Sequence, residues 1–396
     1  MMEQRLARIL NFGHGVDHLV QLIFPTAVIA LAPEFGRPYE ELLPLSFLGF
    51  AAWGVFALPA GWLGDRWSRR GMMLIFYFGT GAACILAGLA ATPFQIGAAL
   101  TLIGIFSSIY HPVGYAILHG LNPATIGRTL GYNGLWGNLG VAFAALITGV
   151  LTDLISWRAA FILPGFACIA GGFVFLSTMR AVRASGGLAK HPSIALARPM
   201  VARLLVILAV FTILGSLIFN ATTVAMPKLF EQNMHHLPSG TAGIGLLVCL
   251  VFTVAAFAQT FIGGLMDRMP IRRVLLPVVL AHVPFLAAAG YAGGWPLVAV
   301  AIGMMFFIFG QNPIAEVVVA RYVDDRYRAR FNAIRFALAF GIGAAAVPLV
   351  AGLYGLTQDF SLLFLVLAGM GALVFAAALF FPSEGRLDAA VVAPAE

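Results

Sequence analysis

The chain has 396 residues, 61% of them hydrophobic and only 10% charged, where soluble domains carry about a quarter charged residues. No water-soluble fold of this size hides so much apolar side chain, so a soluble enzyme and a nucleic-acid-binding domain are both excluded as the main body. The net charge of +7 therefore needs an account other than nucleic acid.

Runs of 18 or more apolar residues read as bilayer spans. In hydrocarbon the backbone must satisfy its own hydrogen bonds, so such runs are helices. Twelve are predicted, over roughly 9–32, 42–63, 72–91, 94–118, 129–151, 157–179, 203–226, 241–266, 274–292, 296–319, 331–356 and 361–381. Arg5 and Arg8 before the first run give it the look of a signal peptide. His14, Asp17 and His18 within it, and no Ala-x-Ala-type cleavage site near its end, mark it as a retained first span. Cys84, Cys168 and Cys249 each lie inside an apolar run without metal-type spacing and read as small buried hydrophobes.

Placing the N-terminus inside puts nineteen of the 23 Lys and Arg residues on that side, leaving Arg37, Arg158 and Lys228 opposite and Arg335 within a span. This asymmetry predicts both termini in the cytoplasm and a multi-pass protein of the cell (inner or plasma) membrane. It also explains the basic charge: the arginines set topology and meet the lipid bilayer's anionic surface, with no nucleic acid as partner.

The segment 180–202, with Gly186, Gly187, Pro192 and Pro199, is the longest break and reads as a cytoplasmic linker between an N-terminal bundle (1–179) and a C-terminal bundle (203–396). The halves repeat. Gly61–Arg70 after span two and Gly263–Arg272 after span eight share G-x-L-x-D-R-x-x-x-R at an offset of 202, as do Gly13 with Gly215 and Arg128 with Arg330; Pro112 matches Pro313 at 201. Six spans per half keep the two copies parallel. Asp65, Arg66, Arg69 and Arg70, with Asp267, Arg268 and Arg272, are expected to act as a conformational gate. Their salt bridges to neighbouring helices would hold one state and break as the halves rock; a purely topogenic role is the other reading.

Ionisable groups in the bilayer core cost about 2.5–3.5 kcal/mol on insertion scales and face a cavity or a partner. In span one, Asn11, His14, His18 and Gln21 form one helical stripe, flanked by Asp17. Asp17 and His18 lie about 12–13 Å deep at 1.5 Å per residue, and His111 in span four lies at a similar depth. A His–Asp cluster exchanges protons near neutral pH, which suits proton coupling. Two other readings stand beside it: a hydrogen-bonded patch tying span one to span four, and a transition-metal site using His14, Asp17, His18 and His111. In the second half, Asn220 matches His18, and Gln311 and Asn312 match Tyr110 and His111; these neutral groups either orient a substrate or bond helices together. Glu316 and Arg335, each about five residues inside the cytoplasmic end, are placed for an ion pair, with a gate or coupling role on one reading and binding of an anionic substrate on the other. His282 stands alone and reads as a packing histidine. Gly131, Gly134, Gly137 and Gly140 give span five a face for close helix approach.

Gly61–Arg70 resembles the signature of the major facilitator superfamily between helices two and three, with Ser68 where Gly is usual, and Trp157-Arg158-Ala159-Ala160-Phe161 resembles another of its features. Within the superfamily the chain resembles fosmidomycin-resistance-type exporters. The resemblance rests on His14-Gly15-Val16-Asp17-His18-Leu19-Val20-Gln21, Tyr110-His111-Pro112 and Gly137-Asn138-Leu139-Gly140, with Asp17-His18 standing where Asn-Asp is typical. The resemblance implies twelve transmembrane helices in two parallel six-helix repeats, an all-α fold whose helices one, four, seven and ten line a central cavity. Asp17, His18 and His111 would then meet near the midplane. It further implies a monomer that exports a small, often toxic molecule in exchange for H+, by alternating access and without a cofactor. An enzyme is not expected: no G-x-x-x-x-G-K-[ST] loop, nucleophile elbow or His-Glu-x-x-His pattern occurs.

Overall fold

The computed structural model describes residues 2–121, 126–179, 198–234, 240–322, 335, 337–383 and 386. Most of the expected linker (180–197), Arg330 and the side chain of Arg128 lie outside the described residues.

Twelve helices are long and apolar enough to cross a membrane: α1 Gln4–Phe35, α2 Tyr39–Arg66, α3 Arg69–Leu89, α4 Pro93–His119, α5 Thr129–Leu154, α6 Trp157–Met179, α7 Pro199–Asn233, α8 Thr241–Met266, α9 Ile271–Ala289, α10 Gly294–Val319, α11 Ala337–Thr357 and α12 Ser361–Leu379. Each falls on an expected span, and most run further at one end or both. The start of α7 takes up the last residues of the expected linker.

Local chemistry sets the interruptions. Pro25 has no N–H to bond the carbonyl one turn back, and α1 breaks there; Leu22 N turns to Leu19 O at 3.1 Å. In α4 the same deficit at Pro112 widens residues Tyr110–Gly114 into a π-turn. Ser68, in place of the usual Gly, caps α3 by accepting from Gly71 N at 2.9 Å. Cys84, Cys168 and Cys249 are buried free thiols.

The two halves pack by one plan. α1 lies along α5 and α7 along α11, α2 along α4 and α8 along α10, and α3 along α6 and α9 along α12. The matched glycines do matching work: a Cβ on Gly13 would meet Tyr77 and Tyr110, and one on Gly215 would meet Gln311, the repeat partner of Tyr110.

Between the halves the main seam is α5 against α8. At the membrane face away from the N-terminus, the far face, this seam is tight. A Cβ on Gly149 would strike the Thr241 carbonyl, and one on Gly245 the Ala145 carbonyl. Beside it Tyr39 of α2 and Tyr354 of α11 sit with ring centroids 5.3 Å apart, and Gln358 Nε2 donates to Glu40 Oε1 at 3.0 Å. Toward the terminal face Gln259 of α8 still reaches Asn138 of α5 at 3.5 Å, and among the described residues nothing comes within 4 Å of a Cβ at Gly131, Gly134 or Gly263. The expected glycine face of α5 is therefore half used. Gly137 and Gly140 meet α1, whereas Gly131 and Gly134 touch no described neighbour.

The loop arginines contact neighbouring helices through carbonyls. Asp65 pairs with Arg69 of its own segment at 2.8 Å, an exposed i,i+4 pair of the kind that contributes about 0.3–0.5 kcal/mol. Arg69 reaches Ala116 O on α4 at 3.5 Å, and Arg272 reaches Leu379 O on α12 at 3.2 Å. Arg66 lies over the Trp62 ring.

Candidate functional site

The polar stripe of α1 points into the first bundle, away from lipid. His14 is 3% exposed and Asp17 0%. The π-turn in α4 lets two consecutive side chains serve the same site: Tyr110 stacks on His14 with centroids 4.9 Å apart, and His111 stands edge-on to His14 at 5.1 Å. His111 Nε2 lies 3.5 Å from Asp17 Oδ2. His18 Nε2 lies 3.2 Å from His14 Nε2. The expected meeting of Asp17, His18 and His111 thus takes place, with His14 at its centre.

Asp17 is the unusual member. Only the neutral donors Ser107 and the Trp53 indole, with His111, face its carboxylate among the described residues. Burying such a group uncompensated costs several kcal/mol. Gln21, one turn on and beside the break in α1, is buried with its Nε2 unbonded.

Three residues absent from the sequence expectations complete the site. Asn133 of α5 is fully buried. Its carbonyl accepts from His14 Nδ1 at 2.7 Å, and its amide donates to Tyr110 OH at 2.8 Å and Asn11 Oδ1 at 3.0 Å. Trp53 of α2 lies edge-on to His18 at 5.3 Å. Phe340 of α11 covers the cluster from the other half, 4.3 Å from the Trp53 ring and 5.2 Å from His111.

The second-half candidates occupy separate places. Asn220 donates to Ser216 O of its own helix at 2.8 Å and lies against Gly343. Gln311 is buried beside Gly215, and Asn312 is exposed. Glu316 and Arg335 form the expected ion pair, with Arg335 nearly buried and Glu316 half exposed. His282 is buried in α9 against Gly371 of α12.

As a metal centre the cluster offers less than the sequence suggests. Ligand atoms of His14, His18 and His111 all lie within 4.8 Å of one another, and Asp17 is not of that group. Of the three or four ligands that His14, Asp17, His18 and His111 could supply, the three imidazoles converge. His14 and His18 share a helical face at i,i+4, while Asp17 projects about 100° round from His18.

At the far face Glu34 accepts from Trp157 Nε1 at 2.5 Å and Arg158 Nη1 at 2.8 Å, while Arg158 also reaches Ala90 O at 3.4 Å. The Trp157-Arg158 pair therefore ties α6 to the end of α1.

Two repeated six-helix bundles, closed together at one face and holding ionisable side chains between their buried helices, define a polytopic membrane protein of the parallel-repeat class. The chain belongs to the Major Facilitator Superfamily, whose family model matches residues 11–310 and 208–393. Its members are transporters rather than enzymes. The fold is similar to that of a D-xylose-proton symporter, with a TM-score of 0.78 at 14% identity over 96% of this chain and 98% of that one. The chain is 30% identical to the puromycin resistance protein of Streptomyces alboniger over 109 residues, 27% of this chain and 22% of that protein. It is 23% identical to a probable hexose phosphate transport protein of Chlamydia muridarum over 185 residues, 45% and 39% of the two chains. The matches therefore span well under half the length of these curated relatives.

Proposed function

We propose that this chain is a proton-coupled secondary transporter that moves a small organic molecule across the cell's inner or plasma membrane by alternating access. It works as an efflux antiporter and as a monomer. One observation carries the reading: Asp17 is fully buried in a membrane helix with an imidazole nitrogen 3.5 Å from its carboxylate. A carboxylate held at such cost is held for its proton. Taking a proton neutralises it and ends its attraction to His111, which gives the site two states that the bundle can read.

Other features support the cycle. The bundles 1–179 and 203–396, joined by the linker 180–202, rock about the α5–α8 seam. The arginine asymmetry puts the terminal face in the cytoplasm, where the glycine surfaces stand apart. Asn220, Gln311 and Asn312 offer neutral donors and acceptors to a substrate. Glu316–Arg335 and the Asp65 and Asp267 loops make contacts that change with state. Export is favoured by the sequence resemblance to fosmidomycin-resistance-type exporters and by the relative named for puromycin resistance.

The test is flux in proteoliposomes under an imposed pH gradient, screened against antibiotics that include fosmidomycin. D17N is expected to lose uphill transport and keep downhill exchange; unchanged uphill transport in D17N rejects the coupling role. The three clustered imidazoles favour one rival cargo, a transition metal ion or a metal chelate. A thermal shift with Zn²⁺, Ni²⁺ or Co²⁺ that disappears in H14Q and H18Q would replace the organic solute with metal.

A further inference from the structure

The geometry points to Gly137 and the Asn133 carbonyl as a positioning pair: together they form a socket that holds His14 with its proton on Nδ1 and turns its Nε2 lone pair toward His18. This rests on the reading of the cluster as the proton site.

A carbonyl oxygen has no hydrogen to give. In the 2.7 Å contact between His14 Nδ1 and Asn133 O, Nδ1 must therefore donate. Neutral His14 is fixed as one tautomer, and its Nε2 carries a bare lone pair. That lone pair faces His18 Nε2 at 3.2 Å, so His18 must fill the gap with its own Nε2 proton.

The socket depends on a missing side chain. In α5 the Asn133 carbonyl also takes the N–H of Gly137, four residues on, and its two lone pairs serve both donors. The His14 ring reaches it by lying flat over that turn. A Cβ on Gly137 would sit 2.6 Å from His14 Cε1, 2.7 Å from Nε2 and 3.0 Å from Nδ1, closer than carbon packs. The ring has nowhere to retreat. Tyr110 stacks on its other side at 4.9 Å and 14°, with His111 and Tyr115 edge-on at 5.1 and 5.8 Å. Asn133 is itself pinned: its amide bonds Tyr110 OH, which donates to Leu10 O at 2.6 Å.

The titratable groups facing the pair are Asp17 on α1 and Tyr110, His111 and Tyr115 on α4, with Glu316 of α10 bearing on Tyr115. α5 contributes neutral Asn133 and Gly137, and α2 contributes the indole of Trp53.

The experiment is ¹⁵N NMR of histidine-labelled full-length protein in nanodiscs, purified with a chelator, with His14 assigned by its loss in H14Q and His18 by its loss in H18Q. At neutral pH His14 is expected to show a protonated Nδ1 and a bare Nε2. His18 is expected to carry its proton on Nε2, toward His14. A His14 protonated on Nε2, or a mixture of tautomers, overturns the socket, and this wild-type spectrum decides even if no variant folds. G137A is expected to lose the Nδ1 signature and to move the pH profile of transport. G369A on α12, where no described atom lies within 4 Å of the added carbon, leaves both unchanged. If G137A keeps the wild-type spectrum, the glycine has no positioning role. If the tautomer is as expected but H18Q and D17N transport against gradients as the wild type does, the socket stands and the proton-site reading fails.

Discussion

Asp153 Oδ1 accepts the backbone N–H of Thr241 at 3.0 Å, and its second oxygen accepts that of Ala242 at 2.7 Å. The last turn of α5 in one half thus caps the first turn of α8 in the other. A helix start has unbonded N–H groups and a partial positive charge, so a carboxylate there satisfies two donors at once. The far face cannot open without breaking this cap. Asp153→Ala should remove about 0.5–2 kcal/mol from the closed state and move the population toward far-face opening. Spin-label distances between the far ends of α2 and α11 would read the change. Distances identical to the wild type would show that the cap follows closure and does not hold it.

The glycines of α5 and α8 give a second, opposite lever. Gly131 and Gly149 are eighteen residues apart, as are Gly245 and Gly263, five full turns that return each pair to one helix face. The far-face members touch backbone of the other half, whereas Gly131 and Gly263 meet no described atom within 4 Å. Closing the terminal face would bring those two surfaces together. G245V should force the far seam apart. G263V should leave the thermal midpoint of this state near the wild-type value and abolish net transport, because the alternate seam can no longer form. Wild-type turnover in G263V would mean that the terminal face closes along another line.

The limits of the sequence reading follow from the same packing. Spans, repeat and sidedness are legible because hydropathy and arginine placement act on each segment separately. His14, Asp17, His18 and His111 stand out because ionisable groups in apolar runs are costly. Asn133 does not stand out: a single Asn in a glycine-rich helix looks like ordinary helix bonding. Its role arises from the α1–α5 crossing, where a Cβ on Gly140 would strike the Gly15 carbonyl. Its place one turn before Gly137 was the available signal. Trp53 and Phe340 are aromatics within apolar runs, and nothing in their local pattern marks them as the pair that joins the two halves over the site. Asp17 stands outside the trio of clustered imidazoles because successive residues of a helix project about 100° apart.

Ser68 makes a quantitative prediction about a departure from the superfamily pattern. Its hydroxyl accepts from Gly71 N at 2.9 Å and starts α3. Replacing a Ser cap with Ala costs about 0.5–2 kcal/mol and with Gly only a few tenths. S68G, which restores the usual residue, should therefore unfold close to the wild type, while S68A should unfold measurably earlier. Equal loss in both variants would assign the effect to contacts of the Ser68 side chain other than the cap.

Phe340 is the residue through which the second half bears on the cluster. It packs on Trp53 and His111 at once, so any movement of α11 relative to α2 uncovers the imidazoles. In an apolar enclosure a proton cannot reach them without a substrate-driven rearrangement; with the lid gone, water can. F340A should thus separate two quantities that the wild type keeps together. Proton flux without substrate should rise, and the ratio of substrate moved to protons moved should fall, while binding of substrate is retained. F340L keeps an apolar cover and should restore most of the coupling. Fluorescent pH readout in liposomes measures the leak directly. A tight F340A vesicle with wild-type coupling would place the lid elsewhere, and Trp53 alone would then have to exclude water from the site.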